Sequence, residues 1–185
     1  GMIAAILPDE GKPSSYIEFY EKLKTQVPTV TINPHYWLQY AMAIMSTDNL
    51  EDAELILNTA YGKAEKNSNY DTTYIDNQFA RLNLKKAINE DNPSLGFSFF
   101  EKAHSILKRE EYDIYKFRQA GLYLKFYDKR YNNLSKGNKV KFEYALKLIV
   151  KQYEEYLSYE YPSGDVPPYH TENIDESSST FSNKV

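Results

Sequence analysis

The chain has 185 residues, a hydrophobic fraction of 42%, a formal net charge of −4 and no cysteine. These values are typical of a globular protein, exclude a disulfide framework and thiolate chemistry, and give no electrostatic basis for binding nucleic acid. No apolar run approaches the roughly 18 residues of a membrane span, and the run from Met2 to Leu7 is too short for a signal sequence. We therefore expect a cytoplasmic protein without membrane contact.

Helical periodicity begins after a lead over residues 1–13, in which Gly1 is interpreted as a cloning remnant. Ser14 or Ser15 is predicted to cap a first helix. The apolar face of this helix, read from residues at helical spacing, consists of Tyr16, Phe19, Tyr20 and Leu23.

The segment from Val27 to Ile32 is rich in β-branched residues and contains Pro28, so it is predicted to be an extended connector. Asn33 and Pro34 follow it directly. An asparagine cap before a proline at the first helical position is a strong start signal, and it predicts that a second helix begins here.

Two helices over residues 34–46 and 49–66 are predicted from their apolar spacing, with a polar cap sequence at 46–49 between them. The first presents a face of Trp37, Tyr40, Ala41 and Ile44, and the second presents a face of Leu50, Ala53, Leu57, Ala60 and Ala64. Antiparallel helices approach closely only where side chains are small. The residues predicted to pack this pair together are therefore Trp37, Ala41, Ala53 and Ala60.

Asp71 or Thr72 is predicted to cap a fourth helix that ends near Asn89, and Asn92-Pro93 is predicted to start a fifth. In the fifth helix Gly96 and Ala103 lie seven residues apart, as Ala53 and Ala60 do. Ala80 corresponds to Ala41 but lies 16 residues before Gly96 where Ala41 lies 12 before Ala53, so the second hairpin is predicted to be about one turn longer.

A sixth helix is predicted over residues 112–131, with Ile114, Phe117, Gly121 and Leu124 facing inward. Residues 134–138 are predicted to form a turn before a seventh helix that ends near Tyr159. The chain is thus predicted to be one all-α domain over residues 14–160, with about seven helices in antiparallel hairpins. The Pro- and Ser-rich segment 161–185 is expected to be a mobile tail.

No pattern in the chain indicates catalysis, a metal or a cofactor. His35, His104 and His170 are far apart in sequence and lack partners at metal-ligand spacing, and His104 is expected on a helix surface. No glycine-rich phosphate loop is present. We therefore expect a protein that is not an enzyme.

One polar cluster in the fourth helix has two interpretations. Tyr74, Asn77 and Arg81 share a helical face, with Asp76 beside them. In the structural interpretation, Asp76 or Asn77 ties helix ends together and Arg81 holds a carboxylate or carbonyl of an adjacent hairpin. In the functional interpretation, the cluster is a polar site in a concave groove. The structural interpretation is favoured.

The spacing of Trp37, Ala41, Ala53 and Ala60 resembles a tetratricopeptide repeat. The resemblance covers residues 34–66 well and 72–108 loosely. It implies a right-handed solenoid of helical hairpins. The chain departs from the pattern in its longer second hairpin, and Glu65 stands near the place where a repeat-closing proline is expected.

A longer stretch, about residues 15–158, is similar to the C-terminal helical region of large bacterial proteins that carry a signal-transduction NTPase module or a sirtuin-like effector. The shared residues are His35 to Ala43, Ala60-Tyr61, Thr73 to Asn77, Ala80-Arg81 and, more weakly, Phe100 to His104. This resemblance implies that the chain is the sensing or docking tail of a defence protein whose effector lies upstream.

These patterns together predict a non-catalytic module that binds a protein or peptide and needs no cofactor. Its groove is predicted to be lined by Tyr36, Gln39, Tyr40, Asn77, Arg81 and Arg118. Two alternatives stay open. One is a structural or oligomerisation domain, and the less favoured one is a small-molecule binder or enzyme with an enclosed aromatic pocket.

Overall fold

The computed structural model describes residues 13–109, 119–160 and 162–164. Within these ranges there are seven α-helices and no strand, which confirms the predicted all-α class. The helices are α1 (Pro13–Gln26), α2 (Pro34–Met45), α3 (Leu50–Ala64), α4 (Thr73–Asn89), α5 (Pro93–Leu107), α6 (Ala120–Arg130) and α7 (Lys136–Glu160). The predicted start of the sixth helix, with Ile114 and Phe117, and most of the predicted tail lie outside the described residues.

The predicted helix starts are confirmed at three asparagines. The Asn33 side chain accepts a hydrogen bond from the backbone N–H of His35 at 2.9 Å. Asn49 accepts from Asp52 N–H at 3.3 Å, and Asn92 accepts from the N–H groups of Ser94 and Leu95. Each bond satisfies a donor that the first turn of a helix leaves unpaired.

The prediction of an extended connector before α2 was wrong, because Pro28–Ile32 is a short 3-10 helix. Proline fixes its backbone near helical φ, so at the start of a 3-10 turn it costs nothing. The Val30 N–H donates to the Val27 carbonyl at 3.0 Å, and the Thr31 hydroxyl donates to the Pro28 carbonyl at 2.7 Å. These local bonds outweigh the extended preference of the β-branched residues.

The turn before α7 is also shorter than predicted. A 3-10 helix over Tyr131–Asn133 follows α6, and α7 starts at Lys136 rather than after Asn138. The Ser135 hydroxyl accepts from the N–H of Asn138 at 3.2 Å, so a serine cap starts the helix inside the segment predicted as a turn.

The chain divides into two compact units, with the boundary between Leu82 and Asn83 inside α4. In the first unit, α2 packs against α3, and α1 packs against α2. The small residues of the predicted pair, Ala41, Ala53 and Ala60, are fully buried, together with the larger side chains of Met45 and Leu57. Ala80 is fully buried in this unit as well.

The core of the second unit is aromatic. The Phe100 ring lies 5.0 Å from the rings of Tyr123 and Phe142 and 5.1 Å from that of Phe126, measured between centroids. Ala103 is fully buried on the same helix as Phe100. Gly96 lies against the backbone of α4, where a Cβ would stand 3.2 Å from the Ala87 carbonyl oxygen. A small residue at 96 therefore lets α4 and α5 approach closely.

The inward face predicted for the sixth helix was wrong in the part that the structure describes. A Cβ added at Gly121 would meet nothing within 4 Å, and Leu124 is only partly buried. Tyr123 and Phe126 are fully buried instead. The rings of these two residues pack on Phe100, so contacts with α5 set the rotation of α6.

Candidate functional site

Three tyrosines from α1 and α2 form an aromatic cluster in the first unit. The ring of Tyr20 lies 5.7 Å from that of Tyr36 and 5.8 Å from that of Tyr40. The Tyr36 hydroxyl donates to the Tyr20 backbone carbonyl at 2.7 Å, and the Tyr40 hydroxyl donates to the Glu21 carboxylate. These bonds connect α2 to α1 and satisfy polar groups that the packing encloses.

Tyr36 and Tyr40, both predicted to line a binding groove, are 5% and 7% exposed. The structure thus places them in the core, where they offer almost no surface to a partner. The physical reason is that α2 is apolar on nearly all sides, so it packs against α1 as well as α3. The face that we predicted to be exposed in a groove is therefore covered by α1. Burial raises the pKa of Tyr36 to about 12 and also raises that of Tyr40, so both hydroxyls act as donors.

This cluster makes the stability of the first unit sensitive to alkali. Tyrosine ionises near pH 10 in an unfolded chain, and Tyr36 holds its proton to about pH 12 in the folded one. Its contribution to folding is therefore complete below pH 10 and is lost as the pH rises from 10 to 12. Urea unfolding of the Tyr36→Phe variant, followed by circular dichroism, is expected to show a loss of about 1 kcal/mol at pH 8. Its stability should also fall less steeply than that of the wild type above pH 10, and parallel pH profiles would contradict the assignment.

Trp37 occupies a structural position at the edge of the same cluster. Its indole N–H donates to the Thr31 carbonyl at 2.8 Å, which ties the 3-10 helix to α2. Its ring meets the Tyr36 ring edge-on at 5.1 Å, and the Lys24 ammonium lies 5.9 Å from its centroid. The Trp37 side chain is half-buried, and it contacts both the 3-10 helix that precedes α2 and the neighbouring Tyr36 of α2.

The polar cluster of α4 lies deeper than its sequence indicates. Asn77 is 3% exposed, and Asp76 and Arg81 are partly buried, while Tyr74 is 50% exposed. Asp76 lies in the first turn of α4, where the helix dipole favours a negative charge. Both predicted capping residues take part at the start of this helix: the Asp71 side chain accepts from Thr73 N–H at 2.9 Å, and the Thr72 carbonyl accepts from the N–H groups of Ile75 and Asp76.

Gln78 is the residue that sequence reasoning missed. It is 8% exposed, and among the described residues no hydrogen-bond donor reaches its Oε1 atom. It precedes Arg81 by three residues, so the two side chains are neighbours on the helix surface. The available signal was a second amide placed directly beside Asn77, between the apolar residues Ile75 and Phe79.

Arg81 carries its charge in a partly desolvated position. Burial lowers the pKa of its guanidinium, and no carboxylate among the described residues forms an ion pair with it. The cluster therefore combines a planar set of N–H donors with a buried amide acceptor. A guanidinium binds a carboxylate through two parallel hydrogen bonds, and an amide oxygen can accept a neighbouring N–H of the same ligand.

The remaining predicted groove residues are placed differently. Gln39 is partly buried on α2, and Arg118 lies outside the described residues. Of the six predicted residues, Gln39 and Arg81 are those whose side chains the structure shows with appreciable accessible surface.

The other sequence features show no reaction centre in the part of the chain that the structure describes. No group of three or more histidine, aspartate or glutamate side chains there could hold a metal ion, and no helix there could cross a membrane. His104, expected on the surface, is partly buried. Its Nδ1 lies 3.0 Å from the Tyr123 hydroxyl, and its ring stacks on Phe100.

Comparisons with protein-family models, with curated proteins and with solved structures gave no match.

Proposed function

We propose that this chain is a non-catalytic helical-repeat module of tetratricopeptide type that binds a carboxylate-bearing segment of another protein through Arg81 and Gln78. The closely packed α2–α3 pair with buried alanines supports the repeat interpretation. From the resemblance of residues 35–43 and 73–81, we also propose that the chain belongs to a larger protein with an NTPase or sirtuin-like effector.

The observation that carries the binding proposal is a pair of polar groups on α4: among the described residues, Arg81 has no carboxylate partner and the Gln78 Oε1 atom has no donor. A guanidinium that loses water without gaining a carboxylate destabilises the fold, and a buried amide oxygen without a donor costs about 1–3 kcal/mol. Groups with such costs are common where a protein binds a ligand. A carboxylate with an adjacent N–H would satisfy Arg81 and Gln78 together.

A minimal ligand tests this arrangement without knowledge of the partner. N-acetylglycine has one carboxylate beside one amide N–H, and its size allows a Kd of the order of 10 mM. In a titration followed by NMR, we expect saturable shifts of the Arg81 Nε–H signal and of the Gln78 side-chain amide. The Arg81→Gln variant should lose the response.

Arg130 is the internal control for this titration. Its Nε–H already donates to the Ile88 carbonyl at 2.9 Å, and its Nη2 lies 3.0 Å from the exposed Asp91 carboxylate. Its signal should not move. Equal shifts of Arg81 and Arg130 would show non-specific anion binding, and no shift of Arg81 would contradict the proposed site.

A further inference from the structure

One face of α7 is exposed along most of its length and is both basic and apolar. Its residues recur at steps of four, four, three and four, which places them within one helical stripe. Val140 is 61% exposed and Tyr144 is 71% exposed. We call this surface the α7 stripe, and it consists of Lys136, Val140, Tyr144, Lys147 and Lys151, all of them exposed.

The α7 stripe belongs to a strongly basic part of an acidic chain. Residues 125–151 contain eight lysines and arginines and two acidic residues, although the chain as a whole has a net charge of −4. Lys151 pairs with Glu155 at 3.3 Å. Within the described residues, Lys136 and Lys147 form no ion pair, so the cations of the stripe are only partly compensated.

The opposite charge follows directly in sequence. Residues 152–183 contain seven aspartates and glutamates and no lysine or arginine. Four of the acidic residues lie beyond α7, at Asp165, Glu172, Asp175 and Glu176. Tyr169 and Ile174 lie among them, so this part of the chain has apolar side chains as well as negative charge.

The backbone turns where α7 ends. Residues 162–164 form an exposed turn, and Gly164 has φ of +82°, a left-handed conformation that glycine adopts without strain. Lys147 lies 13 residues before the end of α7, a distance of about 20 Å along the helix. The 12 residues from 161 to 172 can span up to about 40 Å, so the acidic residues can reach the α7 stripe.

We propose that the α7 stripe is the docking surface for residues 165–176 of the same chain. The carboxylates of Glu172, Asp175 and Glu176 are opposite in charge to the stripe lysines, and Ile174 supplies an apolar side chain for Val140 and Tyr144. Individual exposed ion pairs contribute only about 0–1 kcal/mol. The short covalent connection raises the effective concentration of the segment at the stripe to the millimolar range. At that concentration several weak contacts together are enough to hold the segment on the stripe. This surface is separate from the Arg81 cluster and does not depend on the function proposed for it.

Carbodiimide cross-linking of the intact chain tests the proposal, since it joins a lysine to a carboxylate in direct contact. The protein is used at low micromolar concentration as an equal mixture of ¹⁴N- and ¹⁵N-labelled chains, and mass spectrometry identifies the products. We expect links from Lys136 and Lys147 to Glu172, Asp175 or Glu176, within one isotopic form. The yield of these links should exceed the yield of links from Lys22 and Lys129 to the same carboxylates by about fivefold. In 1 M NaCl this excess should disappear, because the range of electrostatic attraction shortens to about 3 Å.

Lys22 and Lys129 are exposed lysines outside the stripe and serve as matched controls. The double variant Lys136→Glu, Lys147→Glu should lose the excess, and Lys129→Glu should keep it. Links of equal yield to Lys22, Lys129 and the stripe would overturn the proposal. Links that join the two isotopic forms would also overturn it, because they would assign the stripe to a second copy of the chain.

Discussion

The Phe100→Ala variant is expected to lose about 3–5 kcal/mol of unfolding free energy, the largest effect of any single substitution proposed for this chain. Phe100 is 1% exposed, and its ring contacts the rings of Phe97, Tyr123, Phe126 and Phe142. Removing it leaves a cavity that these rigid side chains cannot fill. Since a domain has only about 5–15 kcal/mol of stability, the second unit should be close to unfolding.

Phe99→Ala is the matched control for this prediction, because it makes the same substitution one residue earlier. Phe99 is partly buried, and its ring lies under the ammonium groups of Lys86 and Lys102 at 5.6 and 5.4 Å. The Phe99→Ala variant should lose less than half as much unfolding free energy as Phe100→Ala. Guanidinium unfolding followed by circular dichroism measures both losses. Equal losses for the two variants would show that Phe100 is not the centre of the core.

The Ala60→Leu variant is expected to destabilise the first unit by about 1–3 kcal/mol, because it adds three carbon atoms to a side chain that has no accessible surface. Ala60 is fully buried on α3, which packs against α2. A larger side chain at this position must push the two helices apart or adopt a strained rotamer. The same guanidinium titration measures the effect.

Asn58→Leu on the exposed side of α3 is the control, since it introduces the same side chain without crowding. It is expected to change the unfolding free energy by no more than about 0.5 kcal/mol. If Ala60→Leu proved as mild as Asn58→Leu, close packing at the buried alanines would not be what holds α2 and α3 together.

The sequence predicted the helices because the signals for them are local. Asn33, Asn49 and Asn92 cap helices through bonds to residues no more than three positions away, so the sequence around each helix start contains the signal. Local reasoning failed at 28–32 for a related reason. There the preference of β-branched residues for extended backbone competed with the helical φ of Pro28 and with the Thr31 hydroxyl bond. Residue type alone does not show which of these contributes more free energy.

The candidate site was harder to predict because burial depends on contacts between distant segments. Tyr36 and Tyr40 look like groove residues within α2, and they become core residues only because Tyr20 and Glu21 of α1 reach them. Gln78 was missed for the same reason, since its burial is not visible in the sequence. Its side chain is unremarkable in sequence, and its importance follows from its burial next to a partly desolvated arginine.

The indole bond of Trp37 has a practical consequence for studies of this protein in solution. The chain contains a single tryptophan, held by the Thr31 carbonyl and the Tyr36 ring in the first unit. Its fluorescence emission therefore reports on the contact between the 3-10 helix and α2. It does not report on the phenylalanine core of the second unit. An unfolding curve recorded by tryptophan fluorescence would therefore follow the first unit and not the second.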